Sequence, residues 1–243
     1  MTFQPNPGEG SLRGQTDTDR VAIPARQAVA VEGAFLTQAF FWMFAGLLLS
    51  AAVSAAVLLN ESLIEFAANN FLLLFFGQLA LVVVISAGIN RLSATAALGL
   101  FFVYAASLGI TIGLIVSLYT GASVATAFFS ASAMFGGAAL YGYTTKRSLA
   151  TIGGYASMAV FGLVVAIVVN VFLGSNPLGF VISIIGVLVF TVLTAWDVQR
   201  IAAGQLVSRL GSVEKAAVIG ALNLYLDFIN LFLFLLRLLG GRR

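Results

Sequence analysis

Two acidic side chains lie inside the apolar stretches of this chain and are the first candidates for chemistry. Asp197 stands in the segment TAWDVQRI and Asp227 in the segment LYLDFINLF, and every other Asp or Glu lies outside the hydrophobic runs. An ionised carboxylate near the centre of a bilayer costs about 2.5–3.5 kcal/mol on insertion scales, so it is rarely present without a role. We therefore expect function to reside at this pair.

The chemistry open to two buried carboxyl groups is proton exchange and weak cation binding. Two carboxylates brought together in a low-dielectric site cannot both ionise cheaply, so one retains a proton and the pair becomes a pH sensor. Carboxylate oxygens are also the ligands that calcium prefers. Asp197 and Asp227 are thus predicted to form a pH sensor and gate that binds calcium transiently, with no resident cofactor.

Three arginines are candidates to pair with these acids. Arg200 follows Asp197 by three residues, about one helical turn, and a simple local ion pair near the membrane interface is the alternative interpretation of Asp197. Arg91 and Arg237 are the other candidates near the same cavity. A nearby arginine would favour the doubly ionised form of the pair.

The last apolar segment carries a polar stripe. Asn223, Asp227, Asn230 and Arg237 recur at intervals of four, three and seven residues, which places them on one helical face. Such a stripe is expected to point into a helical bundle, so this helix is predicted to be central and to line a polar cavity. A purely structural polar seam is the alternative.

Composition assigns the chain to the membrane proteins. Only 9% of its residues are charged, whereas soluble domains have about 25%. The chain contains no histidine and no cysteine, which excludes a Ser-His protease, an HExxH zinc site and any thiolate chemistry. We expect a membrane protein that is not an enzyme.

Seven apolar runs, each long enough to cross a bilayer, predict an all-α bundle of seven transmembrane helices over residues 34–243. Residues 1–33 mix Pro, Gly, Thr and charges, predict a flexible cytoplasmic tail and contain no signal peptide. The predicted runs are 35–59, 68–89, 94–119, 122–142, 149–173, 177–201 and 216–239.

Basic residues predict the orientation of the bundle. Lys and Arg occur in the tail and then after alternate runs, at Arg91, at 146–147 and at 200–215, which favours a cytoplasmic N-terminus. Arg237 and the two C-terminal arginines conflict with this rule if the last segment crosses. Crossing is the preferred interpretation, with re-entry as the alternative.

Small residues recur at close-packing intervals. Gly109 and Gly113 form one such pair, and Gly136, Gly137 and Gly142 form another group. Small residues at this spacing let transmembrane helices approach closely. A packing role is predicted for both groups.

Three segments resemble the Bax inhibitor-1, or transmembrane Bax inhibitor motif, family. They are YGYTTKRSL (141–149), TAWDVQRI (194–201) and LYLDFINLFLFLLRLLG (224–240), and bacterial members match best in overall shape. The resemblance implies seven helices with the last one central. It also implies a pH-sensitive calcium leak, controlled by hydrogen-bonded aspartates, that maintains ion homeostasis and protects the cell.

The resemblance assigns roles residue by residue. The aspartates would be Asp197 and Asp227, and Arg91 is the nearest match to a family arginine on the second span that latches to them. Two departures stand out: Trp196 replaces a common Tyr, and Gln78 falls about where many members carry a membrane-embedded Glu. Gln78 is therefore grouped with Asn223 and Asn230 as polar cavity residues, and its neutrality predicts weaker cation affinity.

Other functions stay open at this point. A regulatory membrane protein that binds a membrane protease or another membrane partner, without conducting ions, is the main alternative. An intramembrane aspartyl protease is disfavoured because Leu224-Tyr225-Leu226, and no Gly-x-Gly, precedes Asp227. Expected partners are membrane lipid, calcium and a membrane protein, with no nucleic acid. The predicted location is the bacterial inner membrane, with an internal eukaryotic membrane second.

Overall fold

A computed structural model describes residues 25–241, with side chains from Phe35 onward. This part of the chain folds into α-helices joined by short turns. They are α1 (Ala25–Leu58), α2 (Glu61–Asn69), α3 (Phe71–Gly88), α4 (Ala94–Ser117), α5 (Gly121–Thr144), α6 (Ala150–Leu173), α7 (Asn176–Ala202), α8 (Gln205–Leu210) and α9 (Val213–Leu239).

The predicted all-α fold with seven candidate spans is confirmed. Residues 35–58 of α1, together with α3, α4, α5, α6, α7 and α9, are each long and apolar enough to cross a membrane. The helix α9 is continuous over 27 residues, or about 40 Å at 1.5 Å per residue, which is sufficient for a full crossing. Residues 1–24, most of the predicted tail 1–33, lie outside the described part, and α1 begins at Ala25.

Two short helices, α2 and α8, were missed because they are too short to show a clear apolar period. Asn60 caps α2 by accepting a hydrogen bond from the Ser62 amide at 3.1 Å. Asn70 then separates α2 from α3, so the second span begins at Phe71 and not near residue 68. Left-handed glycines, Gly204 and Gly211, each with φ of 64°, flank α8 and reverse the chain between α7 and α9.

The last helix, α9, is the most enclosed of the spans. It contacts α1, α4, α5 and α7. Within its most apolar window 78% of residues are buried, against 11% for α3 and for α6, which lie at the periphery. Asp227, which lies on this helix, is therefore held inside protein and not in contact with lipid.

Tyr225 fixes α9 against its neighbours. Its hydroxyl lies 2.6 Å from the Ser50 hydroxyl of α1, which in turn lies 2.7 Å from the Ala105 carbonyl of α4. The Tyr225 ring is fully buried and meets the rings of Phe101 and Tyr104 edge-on at 5.5 and 5.9 Å. This contact joins three spans two residues before Asp227.

Glycines let the backbones of adjacent spans touch. A Cβ on Gly109 would lie 2.8 Å from the Ser50 carbonyl oxygen, and one on Gly113 would lie 2.7 Å from the Val57 Cβ, both on α1. Gly142 of α5 lies against the Ala195 carbonyl of α7. Packing roles are thus confirmed at these three positions, whereas a Cβ at Gly136 or Gly137 would have open space around it, so the predicted close approach there is wrong.

Replacing Gly109 by alanine tests the contact between α1 and α4. The new methyl group would collide with the α1 backbone, which cannot give way as a side-chain end would, and overpacking of this kind costs about 1–3 kcal/mol. Gly99→Ala on the same helix is the matched control, because no atom lies within 4 Å of its Cβ position. Thermal unfolding in detergent should show a lower midpoint for Gly109→Ala and an equal or higher one for Gly99→Ala. Equal midpoints in the two variants would contradict this packing.

Candidate functional site

The two aspartates face each other across the interface between α7 and α9, at different depths. The Cβ position of Gly220 lies 3.2 Å from the Ile201 side chain, and Asp227, seven residues further along α9, interacts with Thr194, seven residues back along α7. This antiparallel register places Asp197 three residues from the level of Asp227, or about 4.5 Å along the helix axes. Asp227 therefore lies about one turn deeper than Asp197.

Asp197 is buried and has an ion-pair partner on its own helix. Its Oδ1 accepts a hydrogen bond from Arg200 Nη1 at 3.1 Å. The guanidinium of Arg200 also stacks over the Trp196 ring, 4.4 Å from the ring centre, and that ring packs on the bare backbone of Gly153 in α6. Arg200 is thus held between an aromatic face and a carboxylate.

Asp227 is more deeply buried, and no charged group of opposite sign pairs with it within residues 35–241. Only 3% of the residue is exposed, and its Oδ2 is buried without a hydrogen-bond partner. Its carboxyl group interacts electrostatically with that of Asp197 and with Thr194, whose hydroxyl donates a hydrogen bond to the Phe190 carbonyl at 2.8 Å. Ionisation of a carboxyl group in such surroundings is costly in free energy. In the described structure, Asp227 is therefore the acid best placed to hold a proton.

Among the described residues, Asp197 accepts a hydrogen bond from Arg200, and no N–H or O–H donor meets Asp227 Oδ2. The site therefore consists of one compensated acid and one uncompensated acid, which interact through their charges.

The three candidate latch arginines lie in different places. Arg200 pairs with Asp197. Arg91 is exposed in the turn between α3 and α4, which Lys215 contacts through a 3.4 Å hydrogen bond to the Asn90 carbonyl. Arg237 lies near the opposite end of α9, with its guanidinium against Gly179 at the start of α7. Ten residues of α9 separate it from Asp227, or about 15 Å.

A cavity of about 660 Å³ opens between α3, α4, α6, α7 and α9. Gln78 and Asn230, two of the three predicted cavity residues, line it, whereas Asn223 does not. Gln78 is buried and donates hydrogen bonds to the Ser107 carbonyl at 3.0 Å and the Thr111 hydroxyl at 2.8 Å. Its position is therefore fixed by α4.

The cavity runs from the end of the bundle that contains Arg237 towards the aspartates. Its lining includes Leu226, the neighbour of Asp227, and Phe190, whose carbonyl accepts the Thr194 hydroxyl. The two acids lie between the inner end of the cavity, at Leu226 and Phe190, and the end of the bundle that contains Arg200. The cavity thus ends next to the site.

Several residues of the site were missed by the sequence analysis. Thr194 precedes Asp197 by three residues, about one helical turn, and so lies on the same face of α7. This spacing is visible in the sequence and could have identified Thr194. Gln199 accepts a hydrogen bond from the Leu149 amide at 2.8 Å and donates one to the Arg147 carbonyl at 2.9 Å. It ties the loop between α5 and α6 to α7, a long-range contact that local spacing does not reveal.

The comparisons with known proteins identify the family. Residues 32–243 match the family described as "Inhibitor of apoptosis-promoting Bax1".

The chain belongs to the Bax inhibitor-1 family.

Three bacterial relatives match most of its length. The inner membrane protein YbhL of Escherichia coli K12 is 44% identical over 215 residues, which are 86% of this chain and 92% of YbhL. An uncharacterized protein of Deinococcus radiodurans is 41% identical over 92% of this chain and 97% of its own. One of Borreliella burgdorferi is 39% identical over 90% and 96%. This Bax inhibitor-1 family member is accordingly a multi-pass membrane protein.

Within the described part of this family member, no group of three or more Asp, Glu, His or Cys side chains is arranged to hold a metal ion. Calcium ordinarily takes six to eight oxygen ligands. The two aspartates supply only part of such a shell, and Arg200 already occupies one carboxylate.

A double-mutant cycle tests the pairing of Asp197 with Arg200. Removal of Arg200 leaves a buried carboxylate unpaired, so Arg200→Gln should lower the free energy of unfolding by about 1–3 kcal/mol at neutral pH. Asp197→Asn should cost less, because the longer Arg200 side chain is 18% exposed and reaches water. The double variant should be more stable than the sum of the two losses predicts.

Thermal and denaturant unfolding in detergent measure these differences, with Arg209→Gln, on the exposed face of α8, as the matched control. Additive losses in the double variant, or an Arg209→Gln loss equal to that of Arg200→Gln, would contradict a specific pair.

Proposed function

We propose that the protein is a pH-sensitive cation leak, with calcium as the conducted ion, and that the Asp197 and Asp227 carboxyl groups form its gate. The observation that carries the proposal is the buried, unpartnered Oδ2 of Asp227 next to the Asp197–Arg200 ion pair. One arginine compensates one of two acids. The charge of the site therefore depends on whether Asp227 holds a proton.

The switch acts on the interface between α7 and α9. With Asp227 protonated, the site carries one negative and one positive charge and is neutral overall. Loss of the proton leaves an excess negative charge that interacts repulsively with Asp197. The ion pair of Asp197 with Arg200 is made within α7, whereas the contacts of Asp227 with Thr194 cross the interface. Proton exchange thus changes the strength of the contact between α7 and α9. This change would open or close a path for cations.

The cavity supplies the approach to this gate from one side. It extends from the Arg237 end to Leu226 and Phe190, where the described cavity lining stops. Gln78 and Asn230 give its wall amide oxygens without negative charge. A neutral wall with an arginine near its entrance binds cations weakly, so the proposed flux is a slow leak and not a fast current.

The orientation of the protein in the membrane follows from the distribution of basic residues. The turn of Arg91 contacts Lys215, and the loop of Arg147 is joined to α7 beside Arg200, so these positive side chains gather at one end of the bundle. Basic residues of short loops favour the cytoplasmic side. We place this end and the N-terminus in the cytoplasm, and the protein in the bacterial inner membrane, because its relative YbhL is named an inner membrane protein. Its cellular role would be ion homeostasis and cytoprotection.

Calcium uptake into proteoliposomes that contain the purified protein, titrated from acidic to mildly alkaline pH, tests this proposal. Wild type should show flux that varies with pH. Asp227→Asn should abolish that variation, because asparagine cannot exchange a proton, and Asp197→Asn should displace it along the pH axis, because it removes the charge that Asp227 interacts with. Arg91→Ala should keep the wild-type profile, since Arg91 is exposed in a turn, whereas Arg200→Gln should change it.

The proposal is refuted if correctly folded wild type shows no flux at any pH, in which case binding of a membrane partner becomes the leading function. A pH-dependent flux that survives in Asp227→Asn would instead remove the proposed gate. If Arg91→Ala changes the pH profile of the flux and Arg200→Gln does not, then Arg91, and not Arg200, is the arginine that acts on the aspartates.

A further inference from the structure

The cavity between α3, α4, α6, α7 and α9 has a second property that proton gating does not use. Most of its wall is apolar, formed by side chains such as Phe75, Leu163 and Ile229, while Arg237 and Asn170 stand towards the end where α9 finishes. A long apolar chamber with a cation and an amide at one end has the polarity of an amphiphile. Its volume of about 660 Å³ falls within the range of small-molecule sites.

Both polar groups at that end lack partners within the described part of the chain. The Arg237 guanidinium lies against Gly179 and has no ion pair with any described carboxylate. The Oδ1 atom of Asn170 is buried and has no hydrogen-bond partner. An unpaired arginine facing an apolar chamber in a membrane protein is costly unless an anion neutralises it.

The side of the chamber between α3 and α6 is a route from the bilayer. These two helices have no extensive contact in the described structure, because α3 packs on α4 while α6 packs on α7. Between them lies a shallow apolar depression whose lining includes Phe71, Phe75 and Ile167. These three residues also line the large cavity. An acyl chain could enter here without meeting a polar group.

We propose that this cavity is a binding site for an anionic phospholipid. Its phosphate pairs with the Arg237 guanidinium, Asn170 Oδ1 accepts a hydrogen bond from a headgroup hydroxyl, and one acyl chain lies along the apolar wall. Basic pockets between transmembrane helices are known to bind anionic lipid headgroups. Arginine presents two parallel donors that match a phosphate, which favours an anionic over a neutral headgroup.

Binding of the lipid stands independently of ion conduction. Its consequence for conduction rests on the proposed function: an acyl chain that fills the cavity as far as Leu226 would exclude water and ions from the approach to Asp227. The bound lipid would then act as a plug, and anionic lipid would lower the leak.

Native mass spectrometry of the whole protein, titrated with phosphatidylglycerol, tests the proposal. Wild type should retain one tightly bound phosphatidylglycerol and bind phosphatidylcholine about tenfold more weakly. Arg237→Gln should reduce the affinity for phosphatidylglycerol about tenfold and leave that for phosphatidylcholine unchanged. Val164→Phe, which fills the chamber from α6, should weaken both lipids.

Arg209→Gln removes the same charge from an exposed position on α8 and serves as the matched control. Thermal unfolding of each variant excludes misfolding as the cause of a loss. The proposal is overturned if Arg237→Gln binds phosphatidylglycerol like wild type, if Arg209→Gln loses as much affinity, or if soluble glycerol phosphate competes as well as the lipid. Loss of calcium flux with lipid binding intact would refute the proposed function alone.

Discussion

A carboxyl group inside a membrane protein must be neutralised by a partner or by a proton, and this chain provides one arginine for two such groups. Arg200 satisfies Asp197, and Asp227 Oδ2 is left without a partner. The most enclosed helix of the bundle carries the unpaired acid, and the helix that faces it carries the paired one.

The depth of Asp227 is set by contacts that have no polar role in the site. The αL glycines around α8 reverse the chain, and Gly220 lies against Ile201, which fixes the register of α9 on α7. Tyr225 then locks α9 to α1 and α4 through Ser50. A shift of α9 by one turn would bring Asp227 to the level of Asp197, so the separation of the two acids is a packing result and not a property of the acids themselves.

The sequence was sufficient for the spans and for the burial of the two acids, because both depend on hydropathy and on the cost of charge in lipid. It failed where position depends on tertiary register. Arg91 matches the family latch in order along the chain but lies in an exposed turn, and Asn223 shares the helical stripe without lining the cavity. The register of α9 on α7 depends on the connection between Ala202 and Val213, which contains the six-residue helix α8 and whose glycines carry no hydropathy signal. Trp196, which departs from the family pattern, stacks on Arg200, a contact that becomes visible only once the pair is in place.

The central claim is that Asp227 holds an exchangeable proton, and infrared difference spectroscopy between acidic and alkaline conditions tests it most directly. A protonated carboxyl group in an apolar environment has a carbonyl stretch distinct from that of a carboxylate. The account predicts such a band in the acidic spectrum of the wild type, its loss in Asp227→Asn, and its retention in Glu214→Gln at the surface end of the same helix. A band that persists unchanged in Asp227→Asn, or that the wild type lacks at every pH, would contradict it.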